Sequence, residues 1–462
     1  MSDIAAVLDR ADKNLPASLE RLFALVRIKS ISTDPTYKPE CRRAAEWLVA
    51  ELNGLGFDAT VRDTPGHPMV VAHHAGASAD APHALFYGHY DVQPVDPLNL
   101  WESDPFDPQI KTEDGHDVIT GRGTSDDKGQ LLTFVEACRA YKEVKGSLPA
   151  RITILFEGEE ESGSPSLKPF LEAHKQELKA DFALVCDTSM WDRDTPAISA
   201  GLRGLVGEEV VIKAAKRDLH SGYYGGAAAN PIHILARILA GLHDDTGRVT
   251  LDGFYEGVEE TPDEIKAMWQ TLGTSDESFL GAIGLSKPSG EQGRSVLELT
   301  WARPTAEVNG IEGGYAGEGF KTVIAARASA KVSFRLVGQQ DPAKIRKAFR
   351  AYVEARVPSD CSVEFHEHGG SPAIQLPYDS DLLNKAKKAL SDEWPKAAVV
   401  IGMGGSIPIV GDFQKMLGME SLLAGFALAD DRIHSPNEKY DLQSFHKGIR
   451  SWIRILDQLA QR

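Results

Sequence analysis

At 462 residues the chain is longer than one hydrophobic core can serve, since single cores stop growing near roughly 250 to 300 residues, so at least two domains are expected. Hydrophobic residues at 42% and charged residues at 25% exclude disordered and fibrous classes. The 67 acidic against 50 basic side chains leave a net charge of -17, which repels phosphate backbones and anionic lipid surfaces, so neither nucleic acid nor membrane is an expected partner.

The opening MSDIAAVLDRADKN spreads charge through its first turns and gives no secretory signal, and no apolar segment reaches spanning length. Cys41, Cys138, Cys186 and Cys361 are far apart without a Cys-x-x-Cys spacing. They read as buried free thiols of a reducing cytoplasm rather than as a zinc site or a redox pair.

From about Pro16, PASLERLFALVRIKSIS puts Leu19, Leu22, Phe23 and Val26 on one face and predicts an amphipathic helix. A second helix is expected from Cys41 to Leu55, ended by the glycines of NGLGF. The apolar runs ALFYGHYDV, ARITILFEGEE and ADFALVCDT then alternate with the helical pattern KGQLLTFVEACRAYKEV, which predicts an α/β domain with a sheet flanked by helices. After GLRGLVGEE the order becomes strand (EVVIKAA), helix (PIHILARILAGL), strands (KTVIAA, KVSFRLV), helix (PAKIRKAFRAYVEAR) and strand (SVEFHEH). This is a smaller α+β domain of ferredoxin-like type, with Asp252 to Gly319 as a long insertion. Beyond Pro377 the first pattern resumes. Residues 1–205 and 376–462 are thus expected to form one large domain, interrupted by a smaller one over 206–375.

Three strands of the large domain end in metal-capable side chains: His89 and Asp91, then Glu157 with Glu159 to Glu161, then Asp187. A fourth run, SLLAGFALADDRIHSPNE, leads to His434. Ligands of open α/β sheets bind beyond the carboxyl ends of the strands, so these groups are expected to converge. GRGTSDDKG adds Asp126 and Asp127 before a helix, where capping accounts for one carboxylate but not both. Two divalent cations would balance three carboxylates, neutral imidazoles and a hydroxide, whereas one zinc would leave carboxylates uncompensated. Mixed His and carboxylate ligands suit zinc, with manganese or cobalt as substitutes.

The segments GHYDVQP, GRGTSDDKGQ, FEGEEESGSP, RDLHSGYYGG, KVSFRLV, GGSIPIV and IHSPNEK, in this order, resemble the co-catalytic zinc peptidases that include carnosinase, cytosolic non-specific dipeptidase, aminoacylase and glutamate carboxypeptidase. RDLHSG with IHSPNEK points to the dipeptidase branch. The resemblance implies two zinc ions per subunit: Asp126 bridges both, His89 and Asp187 complete one, and Glu161 and His434 complete the other. It further implies Glu160 as general base acting on a metal-bridging water, Asp91 as its orienting partner or that of His89, and a cis peptide between Asp126 and Asp127. The resemblance makes the domain over 206–375 a lid and dimerisation domain. His220, alone a surface histidine in a glycine-rich turn, becomes an oxyanion ligand supplied across a homodimer. Arg335, alone an exposed strand arginine, becomes the ligand of the substrate's terminal carboxylate. The amides of Gly404, Gly405 and Ser406 join it, with Asn309 and Thr322 as further substrate contacts.

The expected activity is hydrolysis of dipeptides with a free C-terminal carboxylate, in the cytoplasm. Deacylation of N-acyl amino acids, or removal of a carbamoyl group, by the same mechanism is the near alternative. A metal-free binding protein is the alternative of another class.

Overall fold

The computed structural model describes residues 4–281, 283–404 and 408–461. The chain divides into two compact units, one of Met1–Ala200, Leu376–Val400 and Asp412–Arg462, the other of Gly201–Gln375 and Ile401–Gly411.

The first unit is built on a six-stranded mixed sheet in the order Asp58–Arg62, Met69–His74, Arg151–Glu157, His83–His89, Phe182–Val185, Glu420–Leu423. The last four are parallel and nearly continuous runs of apolar residues, as strands covered on both faces must be. Among the helices that cover them are Ile4–Val26, Lys128–Lys145 and Leu442–Ala460, which pack on one another. Phe86 of the strand His83–His89 stacks on Phe134 with ring centroids 3.7 Å apart and meets Trp452 edge-on at 5.5 Å, all three fully buried. Because the four parallel strands run the same way, their carboxyl ends share one edge of the sheet, and that edge carries the chemistry described below.

The second unit holds a four-stranded antiparallel sheet ordered Thr305–Gly313, Arg327–Leu336, Gly204–Lys213, Ser362–Ser371. With the helices Pro231–Ala240 and Pro342–Glu354 this is ferredoxin-like. Val206, Val210, Ile212, Phe334 and Phe349 form its core with Ile234 and Leu235. Each helix starts where the sequence permits, with proline in its first turn and the preceding Asn230 or Asp341 side chain accepting from Ile232 N or Ala343 N.

Three expectations are corrected. The first helix begins at Ile4 and runs through Pro16, which occupies an exposed position while Val7, Leu8, Ala11, Leu22 and Leu25 are buried on the packed face. The second strand of the small sheet is Thr305–Gly313, inside the segment expected to be an insertion. A register shift between Val308 and Gly310 breaks its alternation, which is why the sequence pattern missed it. KTVIAA instead yields Val323–Ile324, paired only with Leu219–His220. Cys41, Cys138 and Cys186 are buried and free, but Cys361 is half-buried. No helix of the described residues is long and apolar enough to cross a membrane.

Candidate metal centre

Five side chains of the first unit meet at the carboxyl edge of its sheet. His89 is fully buried at the end of its strand. Its Nε2 lies 3.0 Å from Asp126 Oδ1 and 3.9 Å from Asp187 Oδ2. His434 Nε2 lies 3.0 Å from Asp126 Oδ2 and 3.3 Å from Glu161 Oε2. Two ligand groups result, His89 with Asp126 and Asp187, and Asp126 with Glu161 and His434, each with its donor atoms within 4.8 Å of one another. Asp126 belongs to both and directs one carboxylate oxygen into each.

Several buried contacts hold that carboxylate in place. Glu438, fully buried, accepts from Arg122 Nη1 at 2.7 Å and from the backbone N–H groups of Gly123, Ser125 and Asp126 at 2.9, 3.0 and 3.1 Å. Asp431 accepts from Ser125 Oγ at 2.8 Å. The Asp126–Asp127 peptide is cis, and Asp127 Oδ2 accepts from His89 N at 3.1 Å. Lys128, dry at 0% exposure, donates to the carbonyls of Leu25 and Ile28 at 3.2 and 2.6 Å. At Gly129 a Cβ would stand 1.9 Å from Thr124 O, so only glycine lets the loop turn into its helix here.

Asp91 ties the histidine to the acidic turn that follows the strand Arg151–Glu157. Its Oδ1 is 3.3 Å from His89 Nδ1, and its carboxylate accepts from Glu160 N at 3.3 Å and Glu161 N at 3.0 Å. An acid on the far nitrogen fixes the ring and raises the basicity of the near one. The four glutamates of this turn then part ways. Glu157 accepts from Tyr87 Oη, and Glu159 caps His67 N and Ser166 N at 2.8 and 2.9 Å. Glu161 faces His434 and takes Gln93 Nε2 at 2.7 Å. Glu160 alone of the four makes no side-chain hydrogen bond or ion pair among the described residues.

The electrostatics of the cluster favour cations. Burial and the charge of Asp126 push Asp187 up to about 7, and burial raises Glu160 as well. Hydrogen bonds to Asp126 and Glu161 push His434 up to about 10, so a proton stands where positive charge is wanted. Three carboxylates and two imidazoles without a thiolate form a donor set that suits a borderline divalent ion such as zinc. His434 adopts φ 61°, with Arg432 at 57° and Asn437 at 63° in the same loop, closed by Arg432 Nε donating to Asn437 O at 2.6 Å. Left-handed backbone at non-glycine residues is costly and is maintained here by the surrounding contacts.

The remaining expected site residues lie in the second unit. His220 is exposed, its Nδ1 accepting from Gly222 N at 3.0 Å. Thr322, also exposed, accepts through its carbonyl from Ser221 N at 3.1 Å. Arg335 and Asn309 line a cavity of about 900 Å³. Gly404 approaches Arg203 so closely that a Cβ there would be 3.1 Å from Nη2. Gly405 and Ser406 lie outside the described residues. Sequence reasoning missed Glu438, Arg122 and Asp431. Glu438 sits in IHSPNEK in plain sight, but nothing in the pattern tells a buried clamp from a solvated charge.

The pattern that defines peptidase family M20/M25/M40 matches residues 85–458. The chain is 30% identical over 464 residues to a Cys-Gly metallodipeptidase, DUG1, of Candida albicans, covering 96% of this chain and 95% of that protein. Among solved structures, the di-peptidase Dug1p from Saccharomyces cerevisiae is similar with a TM-score of 0.74 and 27% identity over the whole of both chains. An M20 family metallo-carboxypeptidase from Sulfolobus solfataricus gives a TM-score of 0.77 at 29% identity, covering 96% of this chain and 99% of that one.

Since Asp126 is common to both groups, Asp126→Asn should cost every high-affinity divalent ion rather than half of them. Equilibrium dialysis followed by elemental analysis checks this, and retention of one tight ion per chain would contradict the shared carboxylate.

Proposed function

The chain belongs to peptidase family M20/M25/M40, and from that membership and the two-sided carboxylate of Asp126 we propose that it is a metallodipeptidase, hydrolysing the amide bond of dipeptides with a free C-terminal carboxylate. The family is metal-dependent. In this chain His89, Asp126 and Asp187 would hold one zinc ion and Asp126, Glu161 and His434 a second, with manganese or cobalt able to substitute. When bound, such ions polarise a carbonyl and lower the pKa of a coordinated water. The observation that carries the reading is that both oxygens of one buried carboxylate are each met by an imidazole 3.0 Å away.

The protein's own groups have distinct tasks in this reading. Glu160 is the general base: it adjoins the ligand Glu161, its backbone is fixed by Asp91, and its carboxylate is uncommitted while its neighbours are not. It takes the proton of the attacking water and returns it to the leaving amine. Arg335 offers a two-pronged donor to the terminal carboxylate, with the amides of Gly404, Gly405 and Ser406 and the side chains of Asn309 and Thr322 as further contacts.

His220 would stabilise the oxyanion in a partner subunit of a homodimer. Its exposure supports this, as do apolar residues of the same unit left in solvent, Phe320 at 90%, Tyr223 at 83% and Ile311 at 67%. The free thiols support a cytoplasmic setting.

Assays of dipeptides beside N-acetyl and N-carbamoyl amino acids, with zinc, manganese or cobalt added, are expected to show turnover of dipeptides at least tenfold above the rest. Turnover confined to the acylated compounds would replace the dipeptidase reading with that of a deacylase. Glu160→Gln should bind metal normally and lose about 10²–10⁴-fold in kcat, the range for a general base, and a near-normal rate would remove Glu160 from that role. His220→Ala should keep its fold and sedimentation behaviour while kcat drops about 10²–10³-fold, as for a lost oxyanion donor. Full activity would show that His220 does not act across the interface.

A further inference from the structure

Arg203 immediately precedes the strand Gly204–Lys213 and lines the 900 Å³ cavity together with Arg335. Its surroundings differ from those of the buried arginines. Arg122 is bound to Glu438 and Arg303 to Glu291. Arg203 has no carboxylate within ion-pair distance among the described residues, its Nε is buried without a hydrogen-bond partner, and its Nη1 reaches only Leu299 O, at 3.4 Å. Arg203 is half-buried, and a buried guanidinium N–H without an acceptor is unfavourable unless something completes it.

Arg335 is the second cation of this cavity. It pairs in register with Thr305 on one side and Leu205 on the other, so its side chain leaves the sheet on the face opposite the core residues Phe334 and Val206. It too has no ion pair among the described residues. Burial, and then the charge of Arg335, push Arg203 down to about 10, as two like charges brought together require. The acids of the cavity wall offset them only in part, Glu307 acting on Arg203 against the charge of Arg335. Glu291 is occupied by Arg303 and Arg248, Asp244 accepts from the N–H groups of Thr246 and Arg248, and Asp245 and Glu307 form no ion pair among the described residues. Glycine at position 404 leaves the Arg203 guanidinium its space.

We propose that this cavity selects a dicarboxylic C-terminal residue, Arg335 holding the terminal carboxylate and Arg203 the side-chain carboxylate, so that the preferred dipeptides end in glutamate or aspartate. The assignment rests on the dipeptidase reading for the role of Arg335 and adds the class of side chain that the enzyme prefers. Glutamine is the informative comparison, since it matches glutamate in shape and lacks its charge. A single carboxylate shared between both arginines would give no such discrimination.

The test uses the metal-loaded enzyme with Ala-Glu and Ala-Gln as substrates, and calorimetric titration of the same enzyme with free L-glutamate and L-glutamine. Ala-Glu is expected to exceed Ala-Gln at least tenfold in kcat/KM, and glutamate to bind at least tenfold more tightly than glutamine. R203Q should reduce both preferences to less than twofold, with the larger loss of kcat/KM on Ala-Glu; R203K, which retains the charge, should keep part of the preference. Equal handling of the two substrates by the unsubstituted enzyme overturns the proposal, even if R203Q does not fold. So does an R203Q that loses Ala-Gln and Ala-Glu alike. Cleavage of dipeptides without this preference leaves the dipeptidase reading standing, whereas absence of any dipeptide cleavage removes that reading and this one together.

Discussion

The organisation of the first unit depends on placing one carboxylate, that of Asp126, out of water with an imidazole on each of its oxygens. A charge in that position is unfavourable unless its loop is held rigidly and its partners are complete. Glu438 supplies the rigidity, gathering three backbone N–H groups and Arg122 around one buried acid. Lys128 adds to it by anchoring the next helix to the carbonyls of Leu25 and Ile28. The site is therefore a set of paired buried charges in which each member is tolerable because of the others.

Sheet topology explains why these residues can meet. The parallel strands His83–His89, Arg151–Glu157 and Phe182–Val185 deliver His89, the acidic turn and Asp187 to one edge, although more than 90 residues separate the first from the last. Asp91 then makes the arrangement cooperative, since a single side chain touches both the ring of His89 and the backbone that carries Glu160 and Glu161. A shift of that turn would displace Glu160 and Glu161 together.

Much of this was legible in the sequence because strand ends are simple to read. An apolar run followed by His or Asp announces both the strand and its exposed chemistry, and His89, Asp187 and Glu161 lie at or just beyond strand ends on one edge of the sheet. The cis peptide at Asp126 matches what the resemblance implied, and the ferredoxin-like class of the small unit what the order of its elements implied. What was hidden is equally specific. Thr305–Gly313 was obscured by its irregular pairing, and the helix through Pro16 by a residue that ordinarily ends helices. Burial of Glu438 and the missing partner of Arg203 are properties of three-dimensional surroundings, and a charged letter in a sequence carries no mark of either.

The position of Glu438 after every other member of the cluster has a consequence for biosynthesis. His89, Asp126, Glu161 and Asp187 all emerge from the ribosome long before His434 and the clamp that follows it. Until those late residues arrive, the GRGTSDD loop lacks the acceptor for its N–H groups, and one oxygen of Asp126 lacks its imidazole. A growing polypeptide therefore cannot assemble either the two-sided contact of Asp126 or its clamp until His434 and Glu438 have been made.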